Sequence, residues 1–519
     1  MKKRFNTTGV CYPHVHYMMI NLRQLESVME LIEFGEYFTI NRPRQFGKTT
    51  TLFFLEKQLK ASEEYLSIRL SFEITGGQES NEAFAKMFWN RMTSHIKHQN
   101  TELFHFLNNL TPSIQNMDTL SDAITTFTHR VNQKIVLLID EVDAHSNYYS
   151  FLEFLAMLRT KYLARFNPEN ATFHSIILAG VHDIKSLKYK KSNAEAAEFN
   201  SPWNIAIDFE VDMSFHPNEI ETMLVQYSEA ENVTMDFAKI AQRLHYYTSG
   251  YPFLISRLCQ IIAEKIFSKR NNGVWTIEDV EAALLLLLKQ NNTNFDSLIK
   301  NLENNTDLYQ LVYRIILNGD HVPFNQHNPV IHQGIIYGVF KSNGRVRIHN
   351  RIYEQLIYNY MTSKTITNHI SSANTYGLHF LLNDNALDLE SALLKFQQFM
   401  KEEYSQKNEK FLENHGRLLF LAFLAPILNG QGYSFKEVQV SLEKRLDVVV
   451  TYFQHRYIIE MKRWYGKEAH KKGLVQLADY LTIHNVDTGF LIIFDDRKKK
   501  DWASKWINFQ GKRIFAIWV

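Results

Sequence analysis

The sequence predicts an α/β protein: a parallel sheet with crossover helices comes first, and a second, smaller α/β domain closes the chain. Three observations carry this reading. Between about 20 and 220, short apolar runs rich in β-branched residues alternate with amphipathic helical stretches, the pattern of strands joined by crossover helices. Gly47-Lys48-Thr49 follows one such run, and Asp140-Glu141 ends another. From 396 the chain returns to helices and then to strand-like runs.

Bulk properties narrow the class. A chain of 519 residues is too long for one core, so roughly two to four domains are expected. With only 20 glycines and 10 prolines, connections should be short and long disordered linkers rare. No apolar run reaches the roughly eighteen residues of a membrane span. The opening MKKRFNTTGVCYPHVHYMM has lysines but no apolar stretch behind them, unlike a signal peptide. Cys11 and Cys259 are the sole cysteines, which excludes a disulfide framework and a four-cysteine zinc site. A cytoplasmic protein with no membrane partner is the expectation. Net charge is +2, but from Ser434 to Val519 there are 16 Lys and Arg against 10 Asp and Glu. That local surplus permits nucleic-acid contact, and it equally suits a solvated face.

The elements follow in order. Tyr37–Ile40, Leu66–Phe72, Ile135–Ile139 and Ser175–Ala179 read as strands of a core at 1–215. Residues 216–300 are helical, opening at Pro217-Asn-Glu-Ile and restarting after Gly250-Tyr-Pro and at the capping-box-like Thr276-Ile-Glu-Asp279. At 301–365, two helices and a hairpin with a Ser342-Asn-Gly344 turn suggest a winged helix. A polar linker is expected at 366–395, and a final domain at 396–519 with helices at about 388–405 and 408–428. That domain has four strand-like runs, with a helix before the fourth.

The chemistry begins at Arg42-Pro-Arg-Gln-Phe-Gly-Lys-Thr49. A phosphate loop needs backbone N–H groups converging on phosphate oxygens, then Lys and Ser/Thr opening a helix. Here Arg44, Gln45, Phe46, Gly47, Lys48, Thr49 and Thr50 are the candidate ATP-binding residues. Lys48 would reach the β- and γ-phosphates, and Thr49 would ligate Mg²⁺. Arg42 stands where the usual first glycine would be, so Gly-Lys-Thr alone is a weak signal. About 90 residues on, Asp140 and Glu141 at a strand end strengthen it. Asp140 would hold Mg²⁺ through water, and Glu141 would orient and deprotonate the attacking water. Arg257, on the helix after Gly250-Tyr-Pro, is a candidate lid contact to the nucleotide. His182 and Asp183 are candidate γ-phosphate sensors.

A second constellation lies near the C-terminus: Asp447-x12-Glu460-x-Lys462. With a hairpin turn centred between Gln454 and His455, Asp447 would lie opposite Lys462, and Glu460 would share their face. Asp447 and Glu460 could hold Mg²⁺, with Lys462 positioning water. Gln476 and Tyr480 on the next helix, and Glu413 on the one before, could join them. A plain salt bridge on a hairpin would use the same residues, and a one-residue slip would turn Asp447 away.

The Asn41–Thr49 block resembles the loop of bacterial AAA-ATPase-like proteins, in which R-P-R-x-F-G-K-[ST] replaces the glycine-first form. Ile135–Glu141 and Gly250-Tyr-Pro-Phe253 are similar to STAND/Orc-type ATPases, with a helical lid and winged helix after the core. Asp447, Glu460, Lys462 and Gln476 resemble the PD-(D/E)xK nuclease motif, although Leu446 stands where that motif has proline. The resemblance implies an AAA-like ATPase with ATP and Mg²⁺ as cofactors and a C-terminal restriction-endonuclease-like α/β domain. It further implies Mg²⁺-dependent cleavage of DNA or RNA, possible association with copies of itself being left open. A nucleotide-controlled binding switch, or a scaffold with an inactive nuclease fold, is the alternative.

Overall fold

The computed structural model describes residues 2–19, 22–72, 80–142, 149–181, 188–190, 198–200, 203, 205–209, 212–269, 273–318, 322–342, 344–369, 386–403, 420, 423–424, 432–437, 447–452, 455–464, 466–483, 486–495, 497 and 502–519. They fall into two compact units. The first comprises Met1–Asn301, Asn325–Lys341 and His349–Arg351; the second comprises Leu302–Phe324, Ser342–Ile348 and Ile352–Val519. The segment 301–365 contributes to both units. Helix Pro329–Ile336 belongs to the first unit, while Thr306–Tyr313 and most of Arg351–His369 belong to the second. Strands Phe340–Ser342 and Val346–Ile348 flank Gly344, whose φ of +70° suits the anticipated turn. Helix Leu389–Glu403 begins inside the stretch expected to be linker.

The first unit is organised by a five-stranded parallel sheet. Its strands are β1 (Tyr37–Asn41), β2 (Tyr65–Ser71), β3 (Lys134–Asp140), β4 (Ser175–Gly180) and β5 (Ile207–Asp208), in the order β2-β3-β4-β1-β5. Strands β3 and β4 are buried along nearly their whole length, as a sheet covered on both faces requires, which explains the unbroken Ile-Val-Leu-Leu-Ile run. Helices Asn81–Lys97, Met117–Arg130 and Tyr149–Leu163 supply Phe84, Phe88, Trp89, Phe127, Phe151 and Phe154, and Thr101–Leu110 supplies Leu103 and Leu107, to a core with Ile68, Leu137 and Ile176. Each such side chain stabilises by about 1.5–3 kcal/mol when fully buried. The helices of 216–300 start where the capping signals stand: Pro217 at the first turn after His216, Pro252 after Tyr251, and Ile277 after a capping box of Thr276 and Asp279.

A buried ionic knot ties the phosphate-loop helix to β2. Glu56 accepts from Lys60 Nζ at 2.6 Å and Arg69 Nε at 2.6 Å, with His95 Nε2 at 3.3 Å. Burial alone would raise the Glu56 pKa, but the bonds from His95, Lys60 and Arg69 together bring it down to about 2. A carboxyl depressed in the folded state contributes stability above its unfolded pKa and loses it as pH falls through the folded value. Between its ordinary 4.5 and about 2, roughly 3 kcal/mol should be lost. Glu56→Gln should flatten this part of a Tm-against-pH curve; an unchanged slope between pH 5 and 2 would contradict it.

The second unit holds a six-stranded mixed sheet: β6 (Gly432–Glu437), β7 (Asp447–Tyr452), β8 (His455–Arg463), β9 (Thr488–Phe494), β10 (Ser504–Phe509) and β11 (Lys512–Trp518), in the order β6-β7-β8-β9-β11-β10. Pairing is antiparallel across β6-β7-β8 and β11-β10, and parallel across β8-β9-β11. The parallel step from β8 to β9 needs a crossover, and helix Lys467–Ile483 provides it. That is the helix expected before the fourth strand; β10 and β11 follow as a further pair. The helix seats Leu474, Leu477 and Leu481 against Ile458, Leu491 and Ile493. A Cβ at Gly489 would lie 2.7 Å from Leu481 Cδ1, so glycine there lets helix and sheet approach.

Candidate functional site

The phosphate loop joins β1 to helix Lys48–Lys60. Arg42, in the place of the usual glycine, continues the strand: its N–H donates to the Gly180 carbonyl at 3.1 Å. Its φ is not positive, unlike those of Gln45 (+58°) and Gly47 (+87°), so no glycine is required at 42. The Arg42 guanidinium turns back, with Nη1 donating to the Asn41 carbonyl at 2.8 Å and Nη2 to the Phe209 carbonyl at 3.0 Å. Burial lowers its pKa, partly offset by Asp212. This arginine braces the loop against the segment after β5.

Lys48 Nζ donates to the carbonyls of Arg42 at 2.7 Å and Pro43 at 3.0 Å, so the ammonium lies over the concave side of the loop. Thr49 donates its hydroxyl hydrogen bond to Asp140, which also accepts from the Glu141 N–H at 3.0 Å. Asp140 is 3% exposed. Burial raises its pKa, and the bonds from Thr49 and Glu141 and the charge of Lys48 oppose the rise. Glu141 is exposed with φ +55°, a left-handed conformation of the strained kind that collects at functional sites. Two motifs separated by most of a domain in sequence thus converge on one spot of hard oxygen donors beside a lysine. That donor set suits Mg²⁺. Thr50 accepts from the Cys11 N–H at 3.1 Å.

Sequence reasoning missed the residues that cover the loop. The Tyr251 hydroxyl donates to the Arg44 carbonyl at 2.6 Å. The Phe46 ring meets Tyr251 edge-on at 4.7 Å and His349 at 5.7 Å. Removal of His349 from water lowers its pKa to about 4, so the imidazole packs there neutral. Gly338 lies against Pro43: a Cβ would stand 2.7 Å from Pro43 Cγ, and its φ is +71°. Tyr251 stands in the Gly-Tyr-Pro block visible in the sequence; nothing in the pattern around Gly338 or His349 pointed to a loop about 300 residues upstream. Gly338→Ala should cost about 1–3 kcal/mol through overpacking at the loop, measured as weaker binding of a fluorescent ATP analogue together with a lower Tm; unchanged affinity and Tm would contradict it.

Arg257 lies on the helix Pro252–Ile261, which begins beside the loop: Pro252 Cγ would be 4.0 Å from a Cβ at Gly47. The Arg257 Nη1 donates to Gln260 Oε1 at 2.6 Å and its Nη2 to Gln290 Oε1 at 2.6 Å. His182, Asp183 and Glu413 lie outside the described residues.

A model of the AAA-like domain family matches residues 13–359. The chain belongs to the AAA-like domain family. It is accordingly a P-loop ATPase of AAA-like type, and the match runs from before β1 through helix Pro329–Ile336 and the strands Phe340–Ser342 and Val346–Ile348. Among solved structures, the AAA-like chain is similar to a Walker-type ATPase of Pyrococcus abyssi, at 12% identity and a TM-score of 0.46, over 68% of this chain and 99% of that one. It is similar to the ORC2 protein of Aeropyrum pernix in ADPNP-ADP complexes, at 10% identity and a TM-score of 0.36, over 70% and 98% of the two chains. It is also similar to the RuvB Holliday junction branch migration motor of Thermotoga maritima, at 12% identity and a TM-score of 0.32, over 63% and 92%. No curated protein matches the sequence. Among the described residues, no helix is long and apolar enough to cross a membrane.

The C-terminal constellation lies beyond the family match. Strand β7 ends at Tyr452 paired with His455, the first residue of β8, so only two residues join them. This tighter turn corrects the anticipated register. Val448 faces Ile459, so Asp447 stands level with Glu460 rather than Lys462. The shift is two residues, an even step that leaves the strand alternation unchanged. Glu460 is 1% exposed and forms an ion pair with Lys462, which is 17% exposed. Helix Lys467–Ile483 crosses this face at Gly473, where a Cβ would lie 3.5 Å from Lys462 Cγ. Gln476, one turn further along, is half-buried. Among the described residues, no three His, Cys, Asp or Glu side chains gather as a metal cluster.

Proposed function

We propose that this AAA-like ATPase is coupled to a Mg²⁺-dependent PD-(D/E)xK nuclease acting on DNA or RNA, in cytoplasmic defence against foreign nucleic acid. The observation that carries the nuclease half is the Glu460–Lys462 ion pair on β8 with Asp447 level with Glu460. A carboxylate that is almost wholly buried is costly unless paired, and a site built on a strand is held more precisely than one on a loop.

In the ATPase half, Lys48 binds the β- and γ-phosphates, and the amides of Arg44 through Gly47 line the loop. Thr49 and Asp140 would hold Mg²⁺, which when bound screens the phosphate charge. Glu141 accepts a proton from the water that attacks the γ-phosphate. In the nuclease half, Asp447 and Glu460 would hold the metal, Lys462 would orient water toward the scissile phosphate, and Gln476 would contact the strand. Coupling of the two is read from their order in the chain, and self-association is compatible with it. The second reading, a nucleotide-controlled binding switch, is favoured by the same ion pair taken as structural. Incubating the purified chain with DNA and RNA in Mg²⁺ or Mn²⁺, with ATP, a non-hydrolysable analogue or neither, tests the proposal. Binding without cleavage under every condition would sink the nuclease half.

A further inference from the structure

The second unit carries an aromatic and basic cluster beside Glu460 and Lys462 that the hydrolytic reading leaves unused. Glu460, Lys462 and Trp464 occupy alternate positions along and just past β8, and so share one face. Lys462, Trp464 and His470 line one cleft with Leu491 and Ile493. The Trp464 ring centre lies 6.0 Å from His470 and 6.3 Å from Trp518, and His470 lies 5.4 Å from Trp518.

Their exposure differs in a way that matters. Trp518 is 8% exposed and packs into the core of this unit. Trp464 and His470 are only half-buried. Cations stand over the rings: Arg497 lies 5.2 Å from the Trp464 centre, and the exposed Lys505 lies 5.5 Å from that of Trp518. Asp495 fixes Arg497, accepting from its Nε at 2.9 Å and its Nη2 at 2.6 Å. His470 is held neutral by burial and by Lys505, so it offers a π-face rather than a charge.

We infer that Trp464 and His470 form a stacking subsite for an unpaired nucleobase, with Lys505 beside the flanking phosphate. In a duplex the base faces are stacked on one another and closed to protein, whereas a single strand or an unpaired nucleotide offers them, and aromatic platforms with nearby cations take them. The subsite adjoins Lys462, so a base seated there brings its neighbouring phosphate to the proposed cleavage residues. This rests on the nuclease reading and sharpens it: the substrate class is unpaired nucleic acid.

The test uses the full chain in EDTA, where cleavage cannot occur. Binding of fluorescein-labelled oligo(dT), oligo(rU) and a blunt duplex is followed by anisotropy. Single strands should bind at least about tenfold more tightly than the duplex. Trp464→Ala should weaken single-strand binding about tenfold, Trp464→Phe should restore most of it, and duplex binding should not change. The dT and rU arms tell DNA from RNA. Equal binding of strand and duplex, or Trp464→Ala binding single strands like the parent, would overturn the inference. Lys505→Ala, on the exposed strand β10, keeps the test decisive if Trp464→Ala does not fold: unchanged single-strand affinity at low salt would overturn it too. Cleavage is scored separately in Mg²⁺, so an inactive nuclease with an intact subsite is distinguishable from the loss of both.

Discussion

Lys48→Ala should lower ATP turnover about 10²–10³-fold, the usual effect of deleting a donor aimed at developing charge. The Lys48 ammonium bonds to the carbonyls of Arg42 and Pro43, and phosphate oxygens would replace these acceptors when ATP enters. The variant removes both the charge and the tie that curls the loop, so nucleotide affinity should fall with turnover. Lys48→Arg separates the two. It keeps the charge, but its planar, forked head does not fit a place shaped for a point ammonium, so binding should recover further than turnover. Turnover by phosphate release and binding by a fluorescent ATP analogue give the two readouts. Full turnover in Lys48→Ala would remove this loop from the mechanism.

The contrast between Lys48 and Arg42 shows what was legible in the sequence. Gly47-Lys48-Thr49 stands across a short loop from the end of β1 and Asp140-Glu141 at the end of β3; the apolar run of each strand announces it, and the parallel sheet brings those ends to one edge. Local pattern and general topology therefore sufficed. The cover of the loop did not show itself, because Gly338 and His349 act through packing on Pro43 and Phe46. A glycine chosen for close approach looks in sequence like any other glycine. The register of β7 on β8 was misread for a similar reason. The alternation that identifies the shared face has a period of two, and a shift of two residues leaves it unchanged, so only the length of the turn distinguishes Glu460 from Lys462 as the neighbour of Asp447. Arg257 was legible by its place after Gly-Tyr-Pro, but its bond to Gln290 joins residues far apart in sequence and left no pattern to read.

Glu460→Gln and Lys462→Met should each reduce metal-dependent cleavage at least about 100-fold, with ATP turnover unaffected. Cleavage loss alone would not decide between a catalytic and a structural pair, because removing one partner of a buried ion pair costs about 3–5 kcal/mol and threatens the fold. The double variant resolves this. Replacing both charges by neutral groups of similar volume is often close to neutral for stability, so Glu460→Gln with Lys462→Met should melt near the parent while each single variant melts lower. If the pair is catalytic, the double variant stays inactive on nucleic acid despite its recovered Tm. If the pair only holds β8 in place, cleavage returns with stability. Asp447→Ala supplies the control from the neighbouring strand, since it removes a proposed metal ligand without breaking the ion pair. Its cleavage should fall as far with the Tm unchanged, and full cleavage by this variant would place the reaction elsewhere.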